Sequence, residues 1–520
     1  MGVGGVSMFG IIVAMVAYLL GMLIIGFLAS RKNENVGDFY LGGRRLGPFV
    51  TAMSAEASDM SSWLLMGLPG LAYLSGIAEP AWTAIGLAVG TYVNWLIVAK
   101  RLRRYSLAAD NAITIPQFFS NRYRDRRKIL TLIAALVIVI FFIPYTASGF
   151  SAIGKLFASL FGVDYHLAMI VGAIVIIGYT MTGGFLAASM TDLVQSIIMS
   201  FALVIVLFFG VNQAGGWGAV VENAKSLAGH LSLTFSHVPD AENLFAAGTT
   251  TPYSFLTIVS TLAWGLGYFG MPHILLRFMA IEDENKLNLS RRIASIWVVI
   301  AMSVAILIGM IGLGMTKAGV IGELTTSGSS ETVIVQIANR LSSFGFFPAL
   351  MAGLILSGIM ASTMSTADSQ LLAASSSVSQ DILTGFFGLK LDDKKLMRVA
   401  RGSLLVIAVI GVFLAWNPDS SVFRIVSFAW AGFGAAFGPL MLFSLFWRRT
   451  NRAGALAGMI VGGSMIFIWK FLVRPMGGIL DIYELLPAFI LSAVAIVVFS
   501  LITPAPEKEI TDVFDKVSAM

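Results

Sequence analysis

The chain has 520 residues, of which 57% are hydrophobic and only 12% charged, with a formal net charge of +6 and no cysteine. An ordinary soluble domain carries about 25% charged residues, so the composition excludes a water-soluble domain of appreciable size. The absence of thiols excludes disulfides, thiolate catalysis and cysteine metal sites.

In chain order the apolar runs predict an all-α polytopic membrane protein with spans at 9–29, 48–75, 81–99, 129–154, 164–182, 189–212, 254–276, 293–315, 346–376, 399–416, 422–446, 453–472 and 483–502. The first lacks a basic leader and is too long for a signal core, so it reads as a retained helix. Thirteen spans put the termini on opposite sides. With the N-terminus outside, 27 of the 34 Lys and Arg fall in inner segments, which favours N-out and C-in. The basic clusters then read as topology and anionic-lipid contact, and nucleic-acid binding is not expected. Residues 1–502 form one transmembrane domain and 503–520 a polar cytoplasmic tail. The outer segments 213–253 and 316–345 are rich in Gly, Ser and Thr and read as loops with short helices.

Ionisable side chains inside spans cost several kcal/mol and usually face a cavity or a partner. In span two, "SAEASDMSSW" (54–63) sets Glu56 and Asp59 among small polar residues. Local unwinding there would free carbonyls to bind a cation, with Asp59 favouring the ion directly or propping the broken helix open. "TMTGGFLAASMTD" leads into span six and ends on Asp192. Span seven reads "LAWGLGYFGMPH" (262–273), where Gly265, Gly267, Gly270 and Pro272 interrupt the helix around Trp264 and Tyr268. Interrupted spans five apart, as two and seven are, suit a midplane site between inverted repeats. In span nine Ser362, Ser365 and Thr366 share one helical face; such hydroxyls suit a small hard cation, or bond back to carbonyls one turn earlier. There is no phosphate-binding loop, and His166, His230, His237 and His273 lack metalloprotease spacing, so neither ATP-driven transport nor a transition metal is expected.

Six stretches are distinctive: "YLGGRRLGPFVTAMSAEASDMSSWLLMGLPG" (40–70), "GGFLAASMTDLVQ" (183–195), "WGLGYFGMPHILLRFMA" (264–280), "MSTADSQLL" (364–372), "SFAWAGFGAAFGP" (427–439) and "RRTNRAGALAGMIVGG" (448–463). On these the chain resembles the solute:sodium symporter family over nearly its whole length. The resemblance implies a LeuT-type fold, with ten core helices as two inverted five-helix repeats over 48–446, one extra helix before them (9–29) and two after (453–502). It implies a secondary active symporter of the bacterial inner (plasma) membrane, multi-pass, which takes up L-proline with sodium by alternating access. No enzymatic reaction, cofactor or obligate protein partner is implied.

Carried over by motif position, the resemblance points to sodium held by the backbone oxygens of Ala57, Met60 and Ser362 and the hydroxyls of Ser365 and Thr366. Asp59 and Asp192 match two aspartates tied to sodium. For substrate it points to Ser61, Trp63, Tyr145, Trp264, Tyr268, Pro272 and His273. The chain departs from the family pattern at Glu56 and Ser62, where glycines often stand, and at Asp368, where an uncharged residue does. Glu56 and Asp368 are expected to be hydrogen bonded to neighbouring helices or protonated; otherwise they add a second cation site or a proton-sensitive step. Alternatives are a sodium- or proton-coupled symporter for another small amino acid or related zwitterion, a channel lined by the span-nine hydroxyls, and a membrane-embedded receptor.

Overall fold

The computed structural model describes residues 3–31, 36–240 and 243–520. They form a helical bundle, with a two-stranded antiparallel sheet, Phe235–Val238 against Thr249–Pro252, in the loop after residue 213. Among the described residues, ten helices are long and apolar enough to cross a membrane, or eleven if the bent pair Phe255–Gly270 and Pro272–Ala280 counts as one span. Two predicted spans, 48–75 and 164–182, are helical but fall outside that measure. The first is interrupted and carries two carboxylates; the apolar part of the second, Tyr165–Gly178, is short. Side chains such as Phe208, Phe255 and Phe413 stay exposed on the bundle's outside, as expected where hydrocarbon replaces water.

Three interruptions shape the interior. Helix Pro48–Ser62 is broken at Ser61 (φ 51°, ψ −170°) before a wide turn at Trp63–Gly67 and a further helix Leu68–Ser75. A non-glycine residue there stores backbone strain of order 1–3 kcal/mol. The long helix Tyr165–Gln213 is kinked at Gly184 (φ 75°, ψ 178°), a conformation that glycine adopts freely, so predicted spans five and six are separate helices. In predicted span seven a helix Phe255–Leu262 tightens into a 3-10 stretch, Ala263–Gly270, then turns at Met271 before Pro272–Ala280, a bend of 47°.

Helix Phe346–Ser376 runs through the middle, buried from Ile355 to Ser376. It packs against helices Val3–Ser30, Pro48–Ser62, Ile129–Phe161 and Tyr165–Gln213. Small residues bring other backbones together: a Cβ on Gly90 would lie 2.4 Å from the Gly265 backbone. That approach sets helix Ala78–Val93 against the interrupted seventh span.

Candidate functional site

The break at Ser61 joins two neighbouring groups of residues. On one side, Ser365 Oγ donates to the Ala57 carbonyl at 2.8 Å and to the Ser362 carbonyl at 3.2 Å, and Thr366 Oγ1 donates to Ser362 O at 3.1 Å. Ala57 O, Ser362 O and the hydroxyls of Ser365 and Thr366 therefore converge between the broken helix and Phe346–Ser376. Such a set of uncharged oxygens matches what a hard monovalent cation takes as ligands. The Met60 carbonyl instead accepts the Trp63 amide, and Met60 borders the cavity of the other group.

On the other side lies a narrow, nearly closed cavity of about 10 Å³ lined by Asp59, Met60, Trp63, Leu87, Tyr145, Trp264, Val426 and Trp430. The ring of Trp264 sits 5.7 Å from Trp63, 5.5 Å from Phe423, 5.3 Å from Tyr483 and 6.2 Å from Trp430. Two hydroxyls secure the broken turn: Tyr145 OH, from the cavity wall, donates to the Asp59 carbonyl at 3.1 Å, and Tyr268 OH, whose ring packs on Trp430 outside the lining, donates to Asp59 Oδ2 at 2.6 Å. Asp59 thus joins the aromatic cavity rather than the hydroxyl group. Ser61, whose Oγ accepts the Trp63 amide, faces a second space lined by Ser62, Tyr145, Thr366 and Gln370. Tyr145 borders both.

Pro272 starts the helix after the bend, and His273 packs against Phe142 with ring centres 5.7 Å apart. Neither lines the aromatic cavity. Glu56 is buried and turned to a neighbouring helix, where its Oε1 accepts from Thr91 Oγ1 at 3.2 Å and Trp95 Nε1 at 3.3 Å. Asn94, on the same face, donates to the Tyr268 carbonyl at 3.1 Å.

Asp192 belongs to a third cluster, nearer the predicted inner side. Its Oδ2 pairs with Arg277 Nη2 at 3.1 Å and accepts from Ser54 Oγ at 2.7 Å. Arg277 also donates to Ser369 Oγ at 2.7 Å, and Ser369 to Asp368 Oδ1 at 3.3 Å. Asp192 Oδ1 and Asp368 Oδ2 are buried without a hydrogen-bond partner among the described residues.

A family model described as the sodium:solute symporter family matches residues 39–462. The chain belongs to the sodium:solute symporter family. Among this symporter's curated relatives, the sodium/proline symporter of Haemophilus influenzae is 44% identical over 502 residues, 96% of each chain. That of Escherichia coli K12 is 43% identical over 500 residues, 95% of this chain and 93% of its own. The high-affinity proline transporter PutP of Bacillus subtilis is 42% identical over 501 residues, 95% of this chain and 98% of its own. A solved structure of a Na+-coupled sialic acid symporter in a substrate-bound outward-open state superposes with a TM-score of 0.77 at 18% identity, covering 96% of this symporter and 99% of that chain. The symporter is a transport protein, not an enzyme.

Sequence reasoning missed Trp430, Phe423, Val426 and Leu87 as lining or covering residues. A tryptophan in a span usually reads as an interface anchor, and nothing local distinguishes Trp430. In the structure its Nε1 donates to the Trp264 carbonyl at 2.7 Å, inside the interrupted span. Phe423 is held in place by Glu331, whose carboxylate accepts the Val422 and Phe423 amides at 3.0 and 3.1 Å and pairs with Lys155 at 2.7 Å.

Proposed function

We propose that this symporter couples inward movement of sodium to uptake of L-proline by alternating access, across thirteen spans with the N-terminus outside and the C-terminus in the cytoplasm of a bacterial cell. The core of ten helices in two inverted repeats, spans two to eleven, places the interruptions of spans two and seven at corresponding positions. One observation carries the reading: the Ala57 carbonyl meets the Ser365 hydroxyl at 2.8 Å, two residues before Asp59, which lines the aromatic cavity. Ion and substrate groups therefore share one distorted turn.

Sodium is held by Ala57 O, Ser362 O, Ser365 Oγ and Thr366 Oγ1, with Met60 O joining after a small shift. Its arrival replaces the Ser365–Ala57 hydrogen bond with ion–oxygen contacts and fixes residues 57–61. Trp63, Trp264 and Tyr145 then present apolar walls to the pyrrolidine ring, with the polar groups of the Ser61 break at its zwitterionic end. Several curated relatives at 42–44% identity are named for proline, which supports that substrate over other small zwitterions. Each charge moved inward contributes about 2.3 kcal/mol per 100 mV of membrane potential.

Proton coupling is the second reading, favoured by the unpartnered buried oxygens of Asp192 and Asp368. Proteoliposomes loaded without sodium decide between the two: labelled proline should accumulate only with an inward sodium gradient, and competing amino acids should define the substrate range. Uptake that persists in sodium-free buffer and follows a pH gradient would favour protons. Flux that neither saturates nor accumulates would point to a channel.

A further inference from the structure

The C-terminal helix Lys508–Ala519 is amphipathic, burying Ile510, Thr511, Phe514 and Val517. Its apolar face lies on the predicted inner ends of the bundle. The Phe514 ring is 6.4 Å from the Tyr105 ring, and the Arg101 and Arg122 guanidinium carbons lie 5.2 and 5.3 Å from its centre. Polar contacts frame it: Arg101 Nη2 donates to Ser518 Oγ at 2.5 Å, Arg448 forks onto Asp515 with two bonds of 2.8 Å, and Arg124 pairs with Glu509 at 3.5 Å.

Arg122 and Arg124 sit at the end of helix Ile115–Arg122 and in the turn after it, whereas Arg101, Tyr105 and Arg448 belong to two different walls of the aromatic cavity. Leu87 lines it from the span Ala78–Ala108, whose inner end carries Arg101 and Tyr105. Val426 and Trp430 line it from helix Val422–Phe446, which ends two residues before Arg448. The tail therefore staples together, at the inner side, two helices that both line the substrate cavity and that also touch there through Arg101 Nε and the Leu445 carbonyl. Separating their inner ends breaks the staple.

The attachment is built to let go. Arg448 and Asp515 are 57% and 50% exposed, so salt screens their attraction. Beside the helix a solvent-open cleft of about 280 Å³, lined by Tyr123, Arg452 and Glu507 among others, borders its leading edge. Acidic residues of the tail meet arginines of the bundle at each polar anchor except Ser518.

We propose that the C-terminal helix is a cytoplasmic clamp that restrains opening of the cavity to the inside, and that cytoplasmic ionic strength loosens it. The inference rests on the transport reading and topology given above. In right-side-out vesicles of the full chain, the maximal rate of sodium-driven proline uptake should rise about threefold or more as lumenal KCl goes from low to high at constant osmolarity. Phe514→Ala and Asp515→Lys should start at the high rate and lose the salt response, with half-saturation for external proline unchanged.

A cross-link gives a second readout that does not depend on those variants accumulating. Because the chain has no cysteine, Arg448→Cys with Asp515→Cys can be bridged selectively by a short bifunctional thiosulfonate. Bridging should block uptake, and a reductant should restore it. Full-rate transport by the bridged protein overturns the clamp, as does a slower or still salt-responsive Phe514→Ala. If wild-type vesicles show no sodium-driven proline uptake, the transport reading fails instead; if they do and the tail changes nothing, the clamp alone fails.

Discussion

Replacing Ser365 with alanine tests the ion assignment most directly. The hydroxyl bridges two helices through bonds of 2.8 Å to Ala57 O and 3.2 Å to Ser362 O. Losing a neutral hydrogen bond of this kind costs the fold about 1 kcal/mol, well within the stability of a bundle this size. Losing an oxygen that faces a cation is more expensive, about 1.5–3 kcal/mol by analogy with hydrogen bonds to charged groups. At about 1.4 kcal/mol per tenfold, the sodium concentration for half-maximal uptake should rise roughly ten- to a hundredfold. Thr366→Ala should behave similarly, and Thr366→Ser should stay near wild type because it keeps the oxygen. Ser357 serves as the control: among the described residues its hydroxyl bonds back to Gly353 O of its own helix at 2.8 Å, so Ser357→Ala should leave sodium dependence alone. The measurement is initial proline uptake in proteoliposomes over a sodium series. If Ser365→Ala and Thr366→Ala both keep the wild-type half-saturation, sodium is not bound where these oxygens converge.

Trp264→Ala removes the ring that touches Trp63, Phe423, Trp430 and Tyr483; apparent proline affinity should fall about tenfold, and an unchanged value would take Trp264 out of the pocket. Arg277→Ala strands the buried Asp192 carboxylate and should cost about 3–5 kcal/mol, read as a lower melting temperature of the purified protein. Arg277→Lys should recover little, since lysine cannot reach Ser54, His273 O, Asp192 and Ser369 together as the guanidinium does. In the loop after residue 213, burial and the nearby His237 push the His230 ring down to about 4. Its neutral form is favoured when the loop is docked, so docking is fully stabilised above about pH 6.5 and weakens as pH falls toward 4, by about 3 kcal/mol in all. Amide exchange around residues 227–238, corrected for intrinsic rates, should accelerate on acidification in the wild type and much less in His230→Gln; equal acceleration in both would remove His230 as the cause.

Much of this was legible in the sequence because hydrocarbon punishes polarity. Glu56, Asp59 and Asp192 stood out inside apolar runs, and the glycines and Pro272 of "LAWGLGYFGMPH" announced the interruption that the structure has at Ala263–Met271. The break at Ser61 carries no glycine, and the sequence signals it only through the small and polar residues of 54–63, without fixing the position. Arg277 was the instructive miss: at the predicted edge of span seven it counted as an inner topogenic charge, yet it is 1% exposed and pairs with Asp192. Hydropathy sees where a run ends, not which neighbour reaches back into it. The same blindness hid Trp430 and Phe423, whose roles depend on helices far away in the chain, and the docking of the tail, whose sequence reads simply as polar.

The geometry also constrains how ion and substrate can be coupled. Ser365 and Tyr268 grip the same turn from opposite sides, the first at Ala57 O and the second at the Asp59 carboxylate. A cation that draws Ala57 O and Met60 O toward Ser362 must rotate the Ser365 hydroxyl so that its lone pairs, not its proton, face the site. That rotation removes one grip, while Tyr268 and Tyr145 retain theirs at Asp59. The turn is then positioned by the ion on one side and by the aromatic cavity on the other. Whatever the ion adds to substrate affinity, substrate must return to ion affinity. Tyr268→Phe, which deletes the 2.6 Å bond to Asp59, should therefore weaken both apparent affinities together. A change in proline affinity with the sodium half-saturation untouched would mean that the two sites are not linked through residues 57–61.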